Sequence, residues 1–427
     1  MLRFFCSLTL IVLFTSIRLS YSINTSQARS PHFRGQQPKA SSQRPTEPPR
    51  VFILDGLALV ALKNKIQHEP EKYRQPLDLL NKEVSPYLDV EPFTITKKTS
   101  LPPSGNKHDY ESQGPYWWPN PDTKDGLPYI RRDGEKNPEI EKLTDHQYFY
   151  EMTKSVKMLT LAYFFTGNET YARKAAQLVR TWFIDRRTRM NPHLNYGQRI
   201  PGRTEGRDIG IIETRILGEI TDAIGLIENS RSWSRVHQQG MERWMSQYLD
   251  WLLNSEHGKG EARQRNNHGT WYDVQVASLA LFTRQDEIAA QVLTRARDER
   301  IPGHIEPDGS QPHELARTRS WNYSIMNLQS FFTLAVLGEK VGIDLWNHTT
   351  SDGRSIIDAL DFLVRYAHPD DPKPWTWEQI TESNPVQIIP LLYQAACRFP
   401  DKGYADLAAK LEGSEPNLYP LLFPCRG

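Results

Sequence analysis

The stretch DHQYFYEMTKSVKMLTLAYFFTGNETYARKAAQLVRTW, residues 145–182, decides the fold class. Its apolar residues recur at steps of three or four, the period of an amphipathic helix: Tyr148, Met152, Val156, Leu159 and Tyr163, then Tyr171, Ala175, Leu178 and Trp182. Thr144 or Asp145 is suited to cap the first helix, and Gly167 is suited to end it. The stretch therefore predicts two consecutive helices joined at Gly167.

Helical periods return along the chain at about residues 208–228, 233–253, 268–283, 285–299, 319–338, 354–367 and 385–398. Alternating β patterns are scarce, and no tandem repeat of fixed period is present. Paired helices of this kind form either an α-solenoid or a closed α/α toroid. Long polar loops, among them residues 95–140, hold most of the His, Asn, Trp and Arg residues, as they would around a central cleft. We therefore predict an all-α fold, an α/α toroid whose long loops form a substrate cleft.

The first residues have the features of a secretory signal peptide. A basic start is followed by the apolar run FFCSLTLIVLF and then by small residues, so we expect residues 1–22 to be removed. Residues 23–50 are rich in Pro, Ser, Gln and Arg, which predicts a disordered linker. Residues 51–427 would form a single toroid domain. No later segment is long and apolar enough to span a membrane, so we expect a secreted, extracellular protein.

Composition narrows the possible partners. The net charge is +1 at pH 7, so no global field would attract nucleic acid, and an anionic ligand must be held by local arginines. Cys397 and Cys425 remain after removal of the signal peptide and could form one disulfide. Sequons begin at Asn24, Asn168, Asn322 and Asn347. We expect a monomeric glycoprotein in which Asn322 carries no sugar, because it abuts Tyr323.

The motif RNNHGTWYDVQ, residues 265–275, starts a predicted helix with two amides and a histidine. One Asn would explain a helix cap, with the other in the preceding turn. A cap alone does not explain why Asn267 and His268 stand together. A helix N-terminus is a poor place for a cationic histidine and a good one for binding an anion. The motif therefore favours a functional site over a simple cap.

A second motif, IEPDGSQPHELARTRSWNYSIMNLQSF, residues 305–331, brings arginines close to a tyrosine. Arg317 and Tyr323 are six residues apart, nearly two helical turns, and Arg319 and Tyr323 are i,i+4 neighbours. A neighbouring guanidinium favours the phenolate form of a tyrosine. The alternative is that Tyr323 packs in the core while the arginines face solvent.

A third motif, SGNKHDYESQGPYWWPNPDTKDGLPYIRRDGEKNPE, residues 104–139, combines aromatic rings with cations on a loop. Rings cover the C–H faces of sugars, and guanidinium groups bind carboxylates through two hydrogen bonds. The alternative is that the rings only fold the loop against the domain. The candidate residues for binding an acidic sugar chain are Lys107, His108, Tyr110, Trp117, Trp118, Tyr129, Arg131 and Arg132, with Trp271 from the first motif.

Other chemistries have weaker support. The sequence has no HExxH motif, no glycine-rich phosphate loop and no GxSxG elbow, and its cysteine and histidine spacing does not suggest zinc. His304 and His313 flank an acidic loop without the spacing of metal ligands. We therefore expect neither a metal nor a cofactor. Paired carboxylates for glycoside hydrolysis remain open, since such a pair is defined by its distance in space.

Five motifs together resemble the alginate lyase family of polysaccharide lyases: GPYWWPNP, DGLPYIRRDGEKNPE, RMNPHLNYGQ, RNNHGTWYDVQ and DGSQPHELARTRSWNYS. The resemblance runs from about residue 50 to 400 and is closer to glucuronan-lyase-type relatives than to the bacterial alginate enzymes. It implies an α/α toroid whose cleft binds 1,4-linked polyuronates. The spacing from Arg317 to Tyr323 is one residue shorter than in the alginate enzymes, a departure from the family pattern that bears on Arg317 and on alginate as the substrate. The segment SGNKHDY resembles the family's mobile lid.

The resemblance also implies roles for residues. The family's catalytic Asn, His, Arg and Tyr fall on Asn267, His268, Arg317 and Tyr323. The amide and imidazole would stabilise the enolate-like transition state that forms as H-5 leaves a uronate. Tyr323, with its pKa lowered by Arg317, would remove H-5 and protonate the departing O-4 of β-linked glucuronate or mannuronate. For guluronate, His268 would be the base.

We therefore expect an enzyme that cleaves a β-1,4-linked polyuronate by metal-independent β-elimination, with glucuronan as first substrate and poly-mannuronate as second. Its partner would be the acidic polysaccharide. Two alternatives remain: an α/α-toroid glycoside hydrolase with two carboxylates, and a non-catalytic polyuronate-binding protein.

Overall fold

The computed structural model describes residues 47–413 and 417–426. The predicted signal peptide, and the linker up to residue 46, lie outside the described residues. The chain from Pro49 onward groups into one compact unit. Within the described part, no helix is long and apolar enough to cross a membrane.

The described unit is built mainly of α-helices, which confirms the all-α prediction. In chain order they are α1 Gly56–His68, α2 Pro70–Leu88, α3 Asp145–Thr166, α4 Glu169–Val179, α5 Leu217–Ile227, α6 Arg235–Asn254, α7 Glu256–Ala262, α8 Asn267–Phe282, α9 Asp286–Arg295, α10 Ile301–His304, α11 Pro312–Leu315, α12 Ser320–Glu339, α13 Ile356–Ala367, α14 Ile389–Ala396, α15 Tyr404–Glu412 and α16 Tyr419–Leu422. Neighbouring helices pack in pairs, α3 against α4 and α5, and α8 against α9 and α12. This arrangement is the predicted α/α toroid.

The predicted break between α3 and α4 lies at Gly167. This residue ends α3 with a φ of 69°, and its N–H donates to Tyr163 O at 2.7 Å. A left-handed residue at this position suits glycine, which has no Cβ to clash. Asn168 then caps α4 by accepting a hydrogen bond from Thr170 N. The two helices fold back on each other from this turn.

Asp145 does not cap α3, and the side chain of Thr144 makes no capping hydrogen bond. The carboxylate of Asp145 is instead 1% exposed and forms an ion pair with the buried Lys98. It also accepts a hydrogen bond from Glu111 N at 2.9 Å. The sequence suggested a cap because the partner of Asp145 lies far away along the chain. The ion pair fixes the start of the long loop against α3.

The helix predicted at residues 208–228 is two elements. Asp208–Thr214 is a 3-10 helix, and α5 follows it. Gly210 packs so closely on Gly197 that a Cβ there would lie 2.6 Å from the Gly197 carbonyl carbon. The tighter 3-10 form brings this segment against the strand that contains Gly197.

The predicted loop at residues 95–140 contains three short strands. β1 Glu111–Gln113 pairs in parallel with β4 Tyr196–Arg199, while β2 Trp117–Trp118 pairs antiparallel with β3 Ile130–Arg131. These two-stranded ribbons give the long loop a fixed shape. The loop is therefore an ordered segment, and the candidate residues outside it lie mainly on α8 and α12.

The ends of the described chain are tied to the domain. Arg50, which the sequence placed in the linker, belongs to the fold: its guanidinium donates to Leu281 O and Phe282 O, both at 2.9 Å. At the other end, Cys397 and Cys425 form the disulfide that the sequence allowed. This bond joins the end of α14 to the C-terminal tail.

The start of the domain depends on a single buried carboxylate. Asp222, on α5, is 3% exposed and accepts hydrogen bonds from three successive backbone N–H groups, those of Phe52, Ile53 and Leu54, at 2.6, 3.0 and 2.6 Å. A neutral amide offers only one oxygen to the same donors. The carboxylate therefore holds the incoming chain against the helices.

We predict that Asp222→Asn lowers the free energy of unfolding by about 2 kcal/mol, because hydrogen bonds to a charged acceptor are lost and a donor is left opposing a donor. Denaturant unfolding of the protein at neutral pH would measure this change. Asp250→Asn is the matched control, since Asp250 is exposed on α6 and should shift stability by less than about 0.5 kcal/mol. Equal stability of the two variants would show that the three N–H groups do not depend on the charge.

Candidate active site

The motif at residues 265–275 forms the start of α8, as predicted. Asn266 is the cap, since its side chain accepts a hydrogen bond from His268 N at 3.2 Å. The simple capping interpretation therefore holds for Asn266. It does not account for the next two residues, which are the first two of α8.

Asn267 is held by a buried glutamate from the second motif. Its backbone N–H donates to Glu314 Oε1 at 2.6 Å, and its Nδ2 donates to Glu314 Oε2 at 2.7 Å. Asn267 is 0% exposed and Glu314 is 1% exposed. Burial raises the pKa of Glu314 to about 7, against the opposing effect of the Asn267 hydrogen bonds. The amide is thus fixed in place before any ligand binds.

His268 is held by a second buried glutamate. Its Nδ1 lies 2.9 Å from Glu261 Oε1, and Glu261 is 0% exposed whereas the imidazole is 15% exposed. Burial raises the pKa of Glu261, although the neighbouring His268 lowers it. A carboxylate at Nδ1 selects the tautomer with the proton on that nitrogen. The hydrogen bond therefore determines what Nε2 can do: it accepts when the ring is neutral and donates when the ring is charged.

Tyr323 lies on the first turns of α12 and contacts two groups from other segments. The Arg317 guanidinium lies 4.0 Å from the centre of its ring. The Tyr323 hydroxyl is 2.6 Å from the hydroxyl of Tyr116, which belongs to the long loop. Arg317 is not on α12, so its contact with Tyr323 does not arise from helical spacing as predicted. It arises because the chain turns between α11 and α12.

The pKa of Tyr323 is raised well above its usual value, which makes the expected lowering by Arg317 wrong for the free protein. Burial is the main cause, and the contact with Tyr116 adds to it, while the Arg317 charge acts in the opposite direction. Asp133 offsets much of that charge by accepting two hydrogen bonds from Arg317, at 3.0 and 2.9 Å. Tyr323 is therefore protonated at neutral pH.

Glu314 connects the two motifs into one site. It bonds directly to Asn267, and the charges of Arg317 and His268 both act on it. The structure thus brings together the four residues that the sequence singled out as Asn, His, Arg and Tyr. Neither glutamate, nor Tyr116, was identified from the sequence. Glu314 stands three residues before Arg317, which is the one local feature that could have drawn attention to it.

The long loop supplies aromatic and cationic side chains beside this site. Trp117 and Trp118 form β2 and are partly buried, and Arg131 and Arg132 lie at and just after the end of β3. The Arg132 guanidinium lies 5.1 Å from the Trp118 ring. Arg131 pairs with Asp133, the partner of Arg317, at 2.6 Å. Rings and cations therefore lie on the same ribbon, as the third motif predicted.

Other predicted binding residues have their polar atoms engaged. The Tyr129 hydroxyl donates to Glu139 at 2.6 Å, and Trp271 Nε1 donates to Met326 O at 3.2 Å. His108 Nδ1 lies 2.6 Å from Arg189 O. Lys107 is exposed. These residues can offer only ring faces, remaining ring nitrogens or, for Lys107, a free charge to a ligand.

Tyr110 is not a binding residue. It is 0% exposed, and its hydroxyl donates to Glu213 Oε2 at 2.8 Å beneath the loop. Ser112 donates to the same oxygen at 2.6 Å. The sequence placed Tyr110 with the exposed rings because the irregular loop gave no period from which to read its burial.

Asn322, one of the sequon asparagines, is 6% exposed. Its Nδ2 donates to Gln387 Oε1 at 3.1 Å. A buried, bonded amide leaves no room for a glycan, which supports the expectation that this sequon is unused. Among the residues that the structure describes, no group of three or more His, Cys, Asp and Glu side chains could hold a metal ion.

Comparisons with known proteins place this site in a family. The family profile described as "Alginate lyase" matches residues 94–375. The crystal structure of an alginate lyase from Bacteroides ovatus is 37% identical, covers 88% of this chain and 99% of its own, and superposes with a TM-score of 0.83. No curated protein was found to match the chain.

A more distant structural likeness is to alginate lyase A1-III of Sphingomonas species A1. A variant of that enzyme, in which one tyrosine is replaced by phenylalanine, was solved in complex with a tetrasaccharide. Its sequence is 16% identical to this chain, and the match covers 83% of this chain and 92% of the variant, with a TM-score of 0.52. At this identity the likeness shows the shared fold. The profile match over most of the described chain, together with the Bacteroides structure, shows that the chain belongs to the alginate lyase family of polysaccharide lyases.

Proposed function

We propose that this polysaccharide lyase cleaves a β-1,4-linked polyuronate by β-elimination without a metal ion, glucuronan first and poly-mannuronate second. The observation that carries the proposal is the arrangement around the buried Glu314: Asn267 bonds to it, and the charges of His268 and Arg317 act on it. Arg317 in turn contacts the ring of Tyr323. The Bacteroides relative, named an alginate lyase, supports a uronate as the substrate. The mature chain is proposed to be a secreted monomer, and the disulfide at Cys397 fits an oxidising compartment.

The difficult step is removal of H-5, because negative charge develops next to a carboxylate that is already charged. Asn267 and a protonated His268 would donate to that carboxylate and stabilise the enolate-like transition state. Glu261 stabilises the charged imidazole, and Glu314 keeps the amide from turning away. The imidazole is partly exposed and held ready, whereas Asn267 is 0% exposed in the free protein, so its second Nδ2–H would meet the carboxylate only as the substrate enters the site.

Tyr323 would remove H-5 and return a proton to O-4, since both groups leave from the same face in β-linked glucuronate and mannuronate. Its high pKa in the free protein means that only a small fraction is phenolate at neutral pH. The Arg317 guanidinium, 4.0 Å from the centre of the ring, would stabilise that phenolate. For guluronate, the neutral form of His268 offers Nε2 as the base instead.

Two other functions, glycoside hydrolysis and polyuronate binding without activity, fit the site less well. A glycoside hydrolase would need a pair of carboxylates, but the buried Glu261 and Glu314 already bond to His268 and Asn267. A binding protein without activity would not need a partly buried Tyr323 between two polar partners. The site favours elimination over both.

The first experiment incubates the mature protein with glucuronan, poly-mannuronate, poly-guluronate and a neutral β-glucan, and follows the ultraviolet absorbance of the new C4=C5 bond. We expect a rise with glucuronan or poly-mannuronate and none with the glucan. Tyr323→Phe should lower kcat by at least about 10²-fold, because proton transfer is lost. Tyr171→Phe, on α4, is the control and should retain full activity. Reducing ends without absorbance would indicate hydrolysis instead.

Glu261→Gln tests the support of His268. We predict a fall in kcat of about 100-fold with little change in KM, because the glutamine keeps the position of the ring but not the stabilisation of its charge. Thermal unfolding would check that the variant is folded. An unchanged kcat would show that His268 acts without its carboxylate.

The pH profile reports on Tyr323. Because the reaction also needs a charged His268, the tyrosine is isolated in His268→Gln, whose amide donor does not titrate. Burial raises the pKa of Tyr323, so the phenolate fraction grows as pH rises, and we predict that the residual kcat/KM of this variant on glucuronan climbs about tenfold per pH unit above neutrality. Initial rates across that range would measure the slope. A profile that is flat above neutrality would contradict a phenolate base.

A further inference from the structure

Arg207 lies beside the loop ribbon with an unusual set of partners. Its Nε donates to Gln198 O at 3.1 Å, and its Nη2 donates to Gln198 Oε1 at 2.7 Å. The guanidinium carbon lies 5.8 Å from the centre of the Trp117 ring. The cation is therefore held by neutral oxygens of one residue and by an aromatic face.

The carboxylates near Arg207 are all bonded to other groups. Glu213, Asp208 and Glu261 act on its charge, but each accepts its hydrogen bonds elsewhere. Within the described ranges, both side-chain hydrogen bonds of Arg207 go to Gln198 and neither goes to a carboxylate. A partly buried guanidinium that makes no direct ion pair is costly, since it has lost water and these carboxylates act on it only at a distance. Burial lowers its pKa to about 10, so it nevertheless remains charged at neutral pH.

The backbone is shaped to hold Arg207 in this position. Gln198 is buried and has a φ of 51°, a left-handed conformation that costs energy for a residue with a side chain. Gly114 allows the close approach of the ring and the guanidinium: a Cβ there would lie 2.8 Å from Trp117 Cδ1 and 3.0 Å from Arg207 Nη2. The strained backbone at Gln198 and the close packing at Gly114 therefore both fix a cation that makes no direct ion pair.

The location of Arg207 connects it to the proposed reaction. On one side, Trp117 pairs in β2 with Arg131 of the loop ribbon. On the other side, Asp208, the residue after Arg207, packs so closely on Gly260 that a Cβ there would lie 2.7 Å from Asp208 Cβ. Gly260 precedes Glu261, the partner of His268. Arg207 therefore lies between the ribbon and the His268 side of the site. A sugar unit in this position would follow or precede the unit whose H-5 is removed.

We infer that Arg207 and Trp117 form a binding site for one uronate unit adjacent to the cleaved unit, with the guanidinium binding the carboxylate and the ring covering a C–H face of the sugar. This inference rests on the proposed polyuronate substrate and adds a requirement to it. The neighbouring unit must itself be charged. The enzyme should therefore favour uninterrupted uronate runs over polymers in which neutral sugars alternate with uronates.

Binding to the Tyr323→Phe protein tests the inference, because the probe is not cleaved. The probe is a hexamer of β-1,4-linked glucuronate, with the β-1,4-glucose hexamer as the neutral comparison, and calorimetry gives Kd for each. We expect Arg207→Gln to weaken glucuronate binding by about 10- to 100-fold, as for loss of a charge-assisted hydrogen-bonded pair, and Arg207→Lys to restore part of it. Binding of the glucose hexamer should change less than twofold.

Arg173→Gln is the control for a general loss of positive charge, since Arg173 is exposed on α4. It should leave the Kd for the glucuronate hexamer unchanged. Thermal unfolding of each variant separates misfolding from loss of the site. Equal weakening of the charged and neutral hexamers, or Kd values for Arg207→Gln within twofold of its parent, would overturn the inference.

The outcomes also separate this inference from the proposed function. Arg207-dependent binding without unsaturated product from the Tyr323-containing protein would keep the binding site and refute elimination. Unsaturated product with binding that ignores Arg207 would refute the binding site alone. Absence of glucuronate binding to the Tyr323→Phe protein would overturn the inference as well.

Discussion

The hydrogen bonds from Asn267 to Glu314 are the contact on which the site depends. They join the first residue of α8 to α11, two segments that are 47 residues apart in sequence. Both side chains are buried, so losing either partner would leave a polar group without water and without a replacement. The orientation of the amide is therefore set by the fold, and the start of α8 and the approach to α12 cannot move independently.

The same arrangement recurs at the other donors. Glu261 is hydrogen-bonded to His268, and Glu314 accepts hydrogen bonds from Asn267. Asp133 accepts two hydrogen bonds from Arg317. A carboxylate behind each donor fixes its geometry and, for the cations, offsets charge before the substrate binds. Arg207 differs because its supporting groups are the neutral oxygens of Gln198. In this chain, with a net charge of +1, attraction for a polyanion must come from such local cations.

The parts of this site that the sequence predicted are those encoded by short spacing. The period of α3 and the Asn267–His268 pair could be read directly, because helical repeats and a helix start are local features. The supporting partners could not be found in this way. Tyr116 lies 207 residues from Tyr323, and Asp133 lies 184 residues from Arg317. The pKa of Tyr323 was misjudged for that reason, since the sequence showed the arginine but neither the burial nor the aspartate that offsets its charge.

The hydrogen bond between Tyr116 and Tyr323 is compatible with a base role for Tyr323, and its direction depends on the ionisation of Tyr323. When Tyr323 is protonated, either hydroxyl can donate across the 2.6 Å separation. Once Tyr323 has lost its proton, only Tyr116 can donate, and a lone pair of the phenolate remains free for H-5. The hydrogen bond to the loop therefore fixes the position of the Tyr323 hydroxyl in both ionisation states. Because Tyr116 lies next to Trp117, the ring that contacts Arg207, placing a sugar on that ring and positioning the donor to Tyr323 depend on the same short segment of the loop.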